Sequence, residues 1–186
     1  MPSKRSIQDK IRATGNIRQI THAMELVAAT KMRKAESIAL RARPFAKNAV
    51  RLLRNLLSYV KGEQAFQESR LLKKASQGST CLVLITSDRG LCGSYNTLVL
   101  RAAAKFLKEE KDIRGVAVGK KAVAFFQKSG VLLDKEFSQF SDIASLADGA
   151  PVAEFILSQY EQRSYQKVVS CSTTFLSALS QKAEIR

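Results

Sequence analysis

The first 60 residues repeat apolar positions at the spacing of an α-helix. Steps of three and four residues build one apolar stripe along a single helix face, made by Ile17, Ile20, Met24, Ala28, Met32, Ala35 and Ala39. A second run has the alternating spacing of a coiled coil, at Ala46, Val50, Leu53, Leu57 and Val60. The pattern predicts one helix over residues 3–60, on the order of 80 Å long. We expect it to bend or restart at Gly15 and Pro44.

The pattern changes after residue 60. Residues 61–80 are polar and contain Gly62 and Gly78, which predicts a linker. The region that follows alternates apolar strands with helices, which is typical of a mostly parallel sheet covered on both faces. The predicted strands are 81–87, 113–118, 131–137 and 167–172, and the predicted helices are 96–108, 120–128 and 149–163. The pattern does not decide the structure of residues 173–186.

Local signals refine these elements. Ser94 or Asn96 is expected to cap the helix after the first strand, and Pro151 is expected in the first turn of the last helix. The chain is therefore predicted to be an α/β protein with a long helix at 1–60, a linker at 61–80 and a Rossmann-like domain at 81–186.

The charge of the chain is strongly positive and unevenly distributed. The 186 residues include 31 Lys and Arg against 16 Asp and Glu. Residues 1–60 alone hold 13 basic and 3 acidic residues, a net charge of +10. A solvated helix usually mixes both signs for pairing between successive turns, and this one hardly does. The excess points to an acidic partner: nucleic acid, anionic lipid or an acidic protein surface.

Nucleic acid fits the pattern poorly, and a membrane-spanning helix is not predicted. The basic residues are spread over some fifty positions that also carry apolar residues, and aromatic side chains are not interleaved with them, so we expect no nucleic-acid binding. No run reaches the 18 apolar residues of a membrane-spanning helix, so we expect no direct membrane insertion.

Catalytic and cofactor motifs are weak. Gly90 and Gly93 do not have the spacing of a phosphate-binding loop, so no cofactor is expected. The cysteines at 81, 92 and 171 lack C-x-x-C spacing, which predicts reduced thiols of a cytoplasmic protein and no metal site. Cys92 could be activated near a helix start, but its only imidazole partner would be His22 on the distant helix. We expect the chain not to be an enzyme in its own right.

Two segments resemble one family closely. They are Ile20-Thr-His-Ala-Met-Glu-Leu-Val-Ala-Ala-Thr-Lys-Met-Arg-Lys34 and Thr86-Ser-Asp-Arg-Gly-Leu-Cys-Gly-Ser-Tyr-Asn96, with a weaker third, Phe175-Leu-Ser-Ala-Leu-Ser-Gln181. By these residues the chain resembles the gamma subunit of F-type ATP synthases across nearly its whole length. That subunit is the central stalk, in which the N-terminal helix pairs antiparallel with a C-terminal helix and carries an α/β region at its foot.

The resemblance implies a mechanical role. Proton flow turns a membrane ring of c subunits together with the shaft, and rotation drives the catalytic beta subunits of an alpha–beta head through their states. The implied partners are the alpha and beta subunits, the epsilon subunit and the c ring. The implied location is peripheral, on the cytoplasmic face of a cell membrane, and the absence of a transit-like leader favours a bacterial origin.

The resemblance also suggests which residues contact these partners. On the helix they are Ile20, Met24, Val27, Lys31 and Arg33. In the loop after the first strand they are Asp88, Arg89 and Cys92. It further predicts strand across residues 173–181.

The chain departs from the family pattern in one respect, and a different function stays open. Members of the family continue well past the point that matches Arg186 and end in the second shaft helix, so without that helix we expect impaired torque transmission. The alternative is a stand-alone Rossmann-like binding domain with a basic helical arm. Nucleotide should raise the thermal stability of such a binder, whereas a stalk subunit should associate with alpha and beta subunits.

Overall fold

The computed structural model describes residues 3–59, 71, 77–140, 145–177 and 180–186. The chain divides into two compact units, Met1–Tyr59 and Val60–Arg186. The described part of the first unit is almost entirely helical, and that of the second alternates strands and helices. The predicted linker lies largely outside the described residues, and its last two residues, Ser79 and Thr80, belong to a strand instead.

Helix α1 spans Lys4–Tyr59, 56 residues, and none of its described residues is buried. It continues through Gly15 and Pro44, so the predicted restart at these residues is wrong. Its first turn has no acidic residue and its last turn no basic residue, so charges at the ends do not offset the helix dipole. Because a solvated helix is stabilised mainly by packing of its apolar face, α1 depends on a partner.

Replacing Pro44 with alanine should stabilise α1 by about 1–3 kcal/mol. Proline has no N–H for the carbonyl of Leu40, and its ring crowds that carbonyl, whereas alanine restores the hydrogen bond. Thermal unfolding of the two proteins, followed by far-ultraviolet circular dichroism, measures the difference. Lys47→Ala, one turn further along, serves as the control and should change the stability by less than about 0.5 kcal/mol. A melting temperature for Pro44→Ala at or below that of the parent protein would contradict this explanation.

The second unit alternates strands with helices. Its elements are β1 (Ser79–Ile85), α2 (Tyr95–Glu109), β2 (Ile113–Val118), α3 (Lys120–Ser129), β3 (Leu132–Phe137), α4 (Leu146–Glu161), β4 (Tyr165–Phe175) and β5 (Gln181–Ile185). The strands form one sheet in the order β3-β2-β1-β4-β5. The first four are parallel, and β5 runs antiparallel to β4. This confirms the predicted α/β class with a long N-terminal helix and a mostly parallel sheet.

The sheet is covered on both faces by different helices. Leu82 and Leu84 of β1 pack with side chains of α2 and α3, including Val99 and Phe126. The alternate residues of β1, Cys81 and Val83, pack on the other face with Phe155 and Ile156 of α4. Successive strand residues point to opposite faces, so β1 contributes to both cores, as its continuous apolar sequence predicts.

Strand β1 lies two residues earlier than predicted, because a side chain ends its hydrogen-bond ladder. Thr86 N still donates to Val118 O at 2.8 Å. Ser87 N donates instead to the side-chain oxygen Oδ1 of Asn96, 3.1 Å away. Asn96 is therefore occupied at the carboxyl end of β1 and does not cap α2, which begins at Tyr95. Ser94 occupies the cap position but makes no side-chain capping bond.

Helix α4 begins at Leu146, three residues before the predicted start. Ser145 and Asp148 form a capping box there, since Ser145 N donates to Asp148 Oδ2 at 2.8 Å. Pro151 therefore lies inside the helix and not in its first turn.

The predicted strand over 173–181 is wrong in part. Residues 173–175 end β4, and the chain turns, with Leu176 N donating to Ser180 O, before β5 begins at Gln181.

Candidate partner-binding surfaces

Four of the five predicted contact residues on α1 share one face of the helix. At 3.6 residues per turn they fall within an arc of about 60°, and all are exposed: Ile20, Met24, Val27 and Lys31. Arg33 lies on the opposite side of the helix by the same geometry. Ile20 and Met24 belong to the apolar stripe, so the predicted contacts divide between the stripe side and the opposite, basic side.

The basic residues of α1 concentrate on the side away from the stripe. By helical geometry Arg12, Arg33, Arg41 and Arg51 lie on that side. The acidic residues of α1 are Asp9, Glu25 and Glu36, too few to balance them. We call the apolar side the stripe face and the opposite side the basic face. The helix thus presents two chemically different surfaces along its length.

Asp88 is held inside its own unit at the carboxyl edge of the sheet. Lys120 N, at the start of α3, donates to Asp88 Oδ1 at 2.9 Å. Gln139 N, just after β3, donates to Asp88 Oδ2 at 2.8 Å. One carboxylate therefore ties the loops that follow β1, β2 and β3. The resemblance suggests Asp88 as a partner contact, and the structure shows it in an internal role.

Cys92 lies in a small polar cluster at the start of α2. Asn96 Nδ2 donates to Cys92 Sγ at 3.0 Å and to Ser87 Oγ at 2.8 Å. Ser87 Oγ donates to Arg89 O at 2.5 Å. The thiol is exposed. The cluster fixes the base of the loop between β1 and α2, so Arg89 and Cys92 extend from a defined backbone.

The tip of this loop is apolar, which sequence reasoning missed. Leu91 is 97 % exposed, the highest value among the described large apolar side chains. Its φ is 61°, in the left-handed region that residues other than glycine rarely adopt. Arg89 beside it is also exposed. The motif residues that carry the family resemblance therefore place one basic and one apolar side chain together on the surface.

A buried polar network at the opposite edge of the sheet also escaped the sequence analysis. Arg114 Nε donates to both carboxylate oxygens of Asp134 at 2.8 Å. Tyr165, which is fully buried, donates its hydroxyl to Asp134 Oδ2 at 2.6 Å. The three residues belong to β2, β3 and β4 and are far apart in sequence, so no local spacing signals the network. It ties these strands together beneath α4.

Burial also raises the pKa of two groups here, Tyr165 in the network and the neighbouring thiol of Cys81. Burial raises the pKa of the Cys81 thiol to about 12, from an ordinary value of 9.0. Burial, followed by the hydrogen bond to Asp134, raises the pKa of Tyr165 as well. Both groups therefore stay protonated in the folded protein at pH values where the unfolded chain ionises.

Stability should fall with rising pH above about 9. Each group's folded pKa is raised, so its contribution is complete below the unfolded pKa and is lost as the pH rises through the folded pKa. Cys81 alone should remove about 1.4 kcal/mol per pH unit between pH 9 and 12. Urea unfolding at a series of pH values measures this slope. Cys81→Ala should reduce the slope by that amount, and an unchanged slope in the variant would contradict the assignment.

Within the described ranges, no group of three or more His, Cys, Asp or Glu side chains is placed to hold a metal ion. In the part of the chain that the structure describes, no helix has both the length and the apolar content needed to cross a bilayer.

Comparison with known proteins decides the family. The sequence model of the family described as ATP synthase matches residues 3–186. The chain belongs to the ATP synthase gamma-chain family. An ATP synthase gamma chain of Cyanothece is 33 % identical over 190 residues, covering 100 % of this chain and 60 % of the relative. One of Desulfitobacterium hafniense is 36 % identical over 183 residues, covering 98 % of this chain and 64 % of the relative.

Solved structures agree with this family membership. A chain in the central stalk and c ring of the Tetrahymena thermophila mitochondrial ATP synthase superposes with a TM-score of 0.72 at 27 % identity. The match covers 90 % of this chain and 70 % of that one. A rotor chain of the Euglena gracilis mitochondrial ATP synthase, at 19 % identity and a TM-score of 0.56, shares the fold. The chain spans about 60 % of the length of the curated gamma chains it matches.

Proposed function

We propose that this chain serves as the gamma subunit, the rotating central stalk, of an F-type proton-translocating ATP synthase. It couples rotation of a membrane ring of c subunits to conformational change in the catalytic beta subunits. The observation that carries the proposal is an ATP synthase family match over residues 3–186, with relatives named gamma chain, on a chain whose 56-residue helix has no buried residue among those described. Such a helix needs partners along its whole length.

The two faces of α1 suit two different partners. The stripe face, which contains Ile20 and Met24, has the apolar spacing that a second helix of the shaft would cover. The basic face, which contains Arg33, remains available to acidic surfaces of an alpha–beta head. Val27 and Lys31 lie at the edge of the stripe that Ile20 and Met24 form. At this edge the second helix and the head would meet. A helix enclosed by a head in this way contacts protein on all sides, which accounts for predicted contacts on opposite faces.

The loop after β1 supplies a second contact on the α/β unit. Arg89 and Cys92 are exposed on a loop whose base is fixed by Asp88 and Asn96. A fixed loop transmits force better than a mobile one, because little movement is absorbed within it. We propose that Arg89 and Cys92 contact a beta subunit and that Asp88 holds the loop in position for them.

Torque transfer requires contacts of the stalk that differ between the conformations of a beta subunit. Each angle of the stalk must favour one conformation of a beta subunit over the others, because a partner shifts an equilibrium only by its differential affinity for the states. An asymmetric stalk, in which α1 presents its basic face on one side and is covered by a second helix on the other, meets this requirement. ATP is then made in the beta subunits, and this chain contributes no catalytic residue.

The remaining partners follow from the same proposal. The epsilon subunit and the c ring bind the α/β unit, and the protein is held peripherally at the cytoplasmic face of a bacterial membrane. Gamma chains of the bacteria Cyanothece and Desulfitobacterium are among the matching relatives, which supports a bacterial setting.

Assembly with purified alpha and beta subunits tests the proposal. The native protein should co-elute with them as one complex on gel filtration. Arg33→Glu should weaken the complex and make it more sensitive to salt, since it reverses a charge on the basic face. Lys128→Glu, at the end of α3 away from the loop after β1, is the matched control and should leave assembly unchanged. Failure of the unaltered protein to assemble, with a gain in melting temperature on adding nucleotide, would instead favour a stand-alone binding domain.

A further inference from the structure

Leu91 has a surface position that folding of the α/β unit does not explain. Its side chain is 97 % exposed and so makes almost no contribution to either core of the sheet. It nevertheless adopts a φ of 61°, which is unfavourable for a residue with a side chain. A residue that is both strained and solvent-exposed contributes little to folding, and such positions concentrate at sites of function.

The loop that carries Leu91 is fixed on both sides. Before it, the Asp88 carboxylate accepts hydrogen bonds from Lys120 N and Gln139 N. After it, Asn96 Nδ2 donates to Cys92 Sγ at 3.0 Å. These bonds order the loop before any partner arrives, which reduces the conformational entropy lost on binding.

The surroundings of Leu91 are positively charged. Arg89, Lys120 and Lys121 are all exposed near the loop. The Asp88 carboxylate of the same loop is engaged at both oxygens by backbone N–H groups. An apolar side chain bordered by cations fits an apolar pocket bordered by carboxylates.

We propose that Leu91 is the anchor of a preformed docking site that inserts into such a pocket on the catalytic head, with Arg89 pairing with an acid at its rim. The inference rests on the proposed function, since it takes the head as the partner. It goes further by assigning the main binding contribution to Leu91, a residue outside the contacts predicted from the sequence. A few side chains dominate the affinity of many interfaces.

Two substitutions at Leu91 test the anchor against a purely structural role. Leu91→Ser and Leu91→Gly should each lower the affinity of the native protein for purified alpha–beta heads by about tenfold or more. Leu91→Gly should at the same time raise the melting temperature of the free protein by about 2 °C or more, because glycine adopts the positive φ without strain. Leu146→Ser is the control, since Leu146 is 88 % exposed at the start of α4, and it should bind like the parent protein.

The results separate this inference from the proposed function. If the parent protein binds the heads and both Leu91 variants bind equally well, the anchor is overturned while the proposed function stands. If Leu91→Gly loses both stability and affinity, Leu91 has a structural role and the anchor is likewise overturned. If the parent protein does not bind the heads at all, both proposals fail.

Discussion

Replacing Asp134 with alanine should destabilise the α/β unit by about 3 kcal/mol. The Asp134 side chain is 9 % exposed and accepts hydrogen bonds from Arg114 and Tyr165. Its removal leaves the fully buried hydroxyl of Tyr165 without its acceptor, which costs about 1–3 kcal/mol alone. The Arg114 side chain is 40 % exposed and can regain water, which keeps the loss below the upper range for buried ion pairs.

Urea unfolding followed by tyrosine fluorescence measures this loss, because Tyr95, Tyr160 and Tyr165 all lie in the α/β unit. Asp134→Asn keeps an acceptor for Tyr165 but removes the charge, so its effect should be intermediate. Glu109→Ala, which breaks an exposed pair with Lys105, should cost no more than about 0.5 kcal/mol. Equal losses for Asp134→Ala and Glu109→Ala would show that the buried network adds nothing.

Replacing Gly119 with alanine should destabilise the same unit by about 3–5 kcal/mol. Gly119 has a φ of 96° and a ψ of 145°, a region essentially restricted to glycine. A Cβ there would also lie 2.9 Å from Thr86 Oγ1 and would overlap the Thr86 carbonyl. The backbone cannot yield easily, since Thr86 N donates to Val118 O and Gly119 N donates to Phe137 O, both at 2.8 Å.

Gly130 provides the control for Gly119. It too has a positive φ, 70°, but nothing lies within 4 Å of the position of its Cβ. Gly130→Ala should therefore show backbone strain alone, about 1–2 kcal/mol, in the same urea experiment. Equal losses at the two glycines would mean that the contact with Thr86 does not matter.

Much of the fold could be predicted from local pattern, and the exceptions have physical causes. The stripe of α1 and the apolar run of β1 predict their elements to within two residues. Prediction failed where one side chain decides a boundary: Asn96 ends β1, and the capping box of Ser145 and Asp148 starts α4 early. The hairpin between β4 and β5 was missed, because the pattern of residues 173–186 does not show where the chain reverses.

The candidate surfaces were predicted less completely than the fold. The resemblance pointed to Asp88, Arg89 and Cys92, but the internal bonds of Asp88 depend on Lys120 and Gln139, which come close only in the folded sheet. Leu91 reads as an ordinary apolar residue in the sequence, since neither exposure nor a positive φ has a local signature at leucine. The opposite placement of Arg33 and Met24 follows from helical geometry alone.

Direct observation of rotation tests the central proposal most directly. The native protein, assembled with alpha and beta subunits fixed to a surface, would carry a bead on the end of the α/β unit remote from the loop after β1. If this chain is the rotating stalk, added ATP should turn the bead in one direction, and removing ATP should stop it. A bead that stays still while the assembled heads hydrolyse ATP would contradict the assignment of this chain as the rotating stalk.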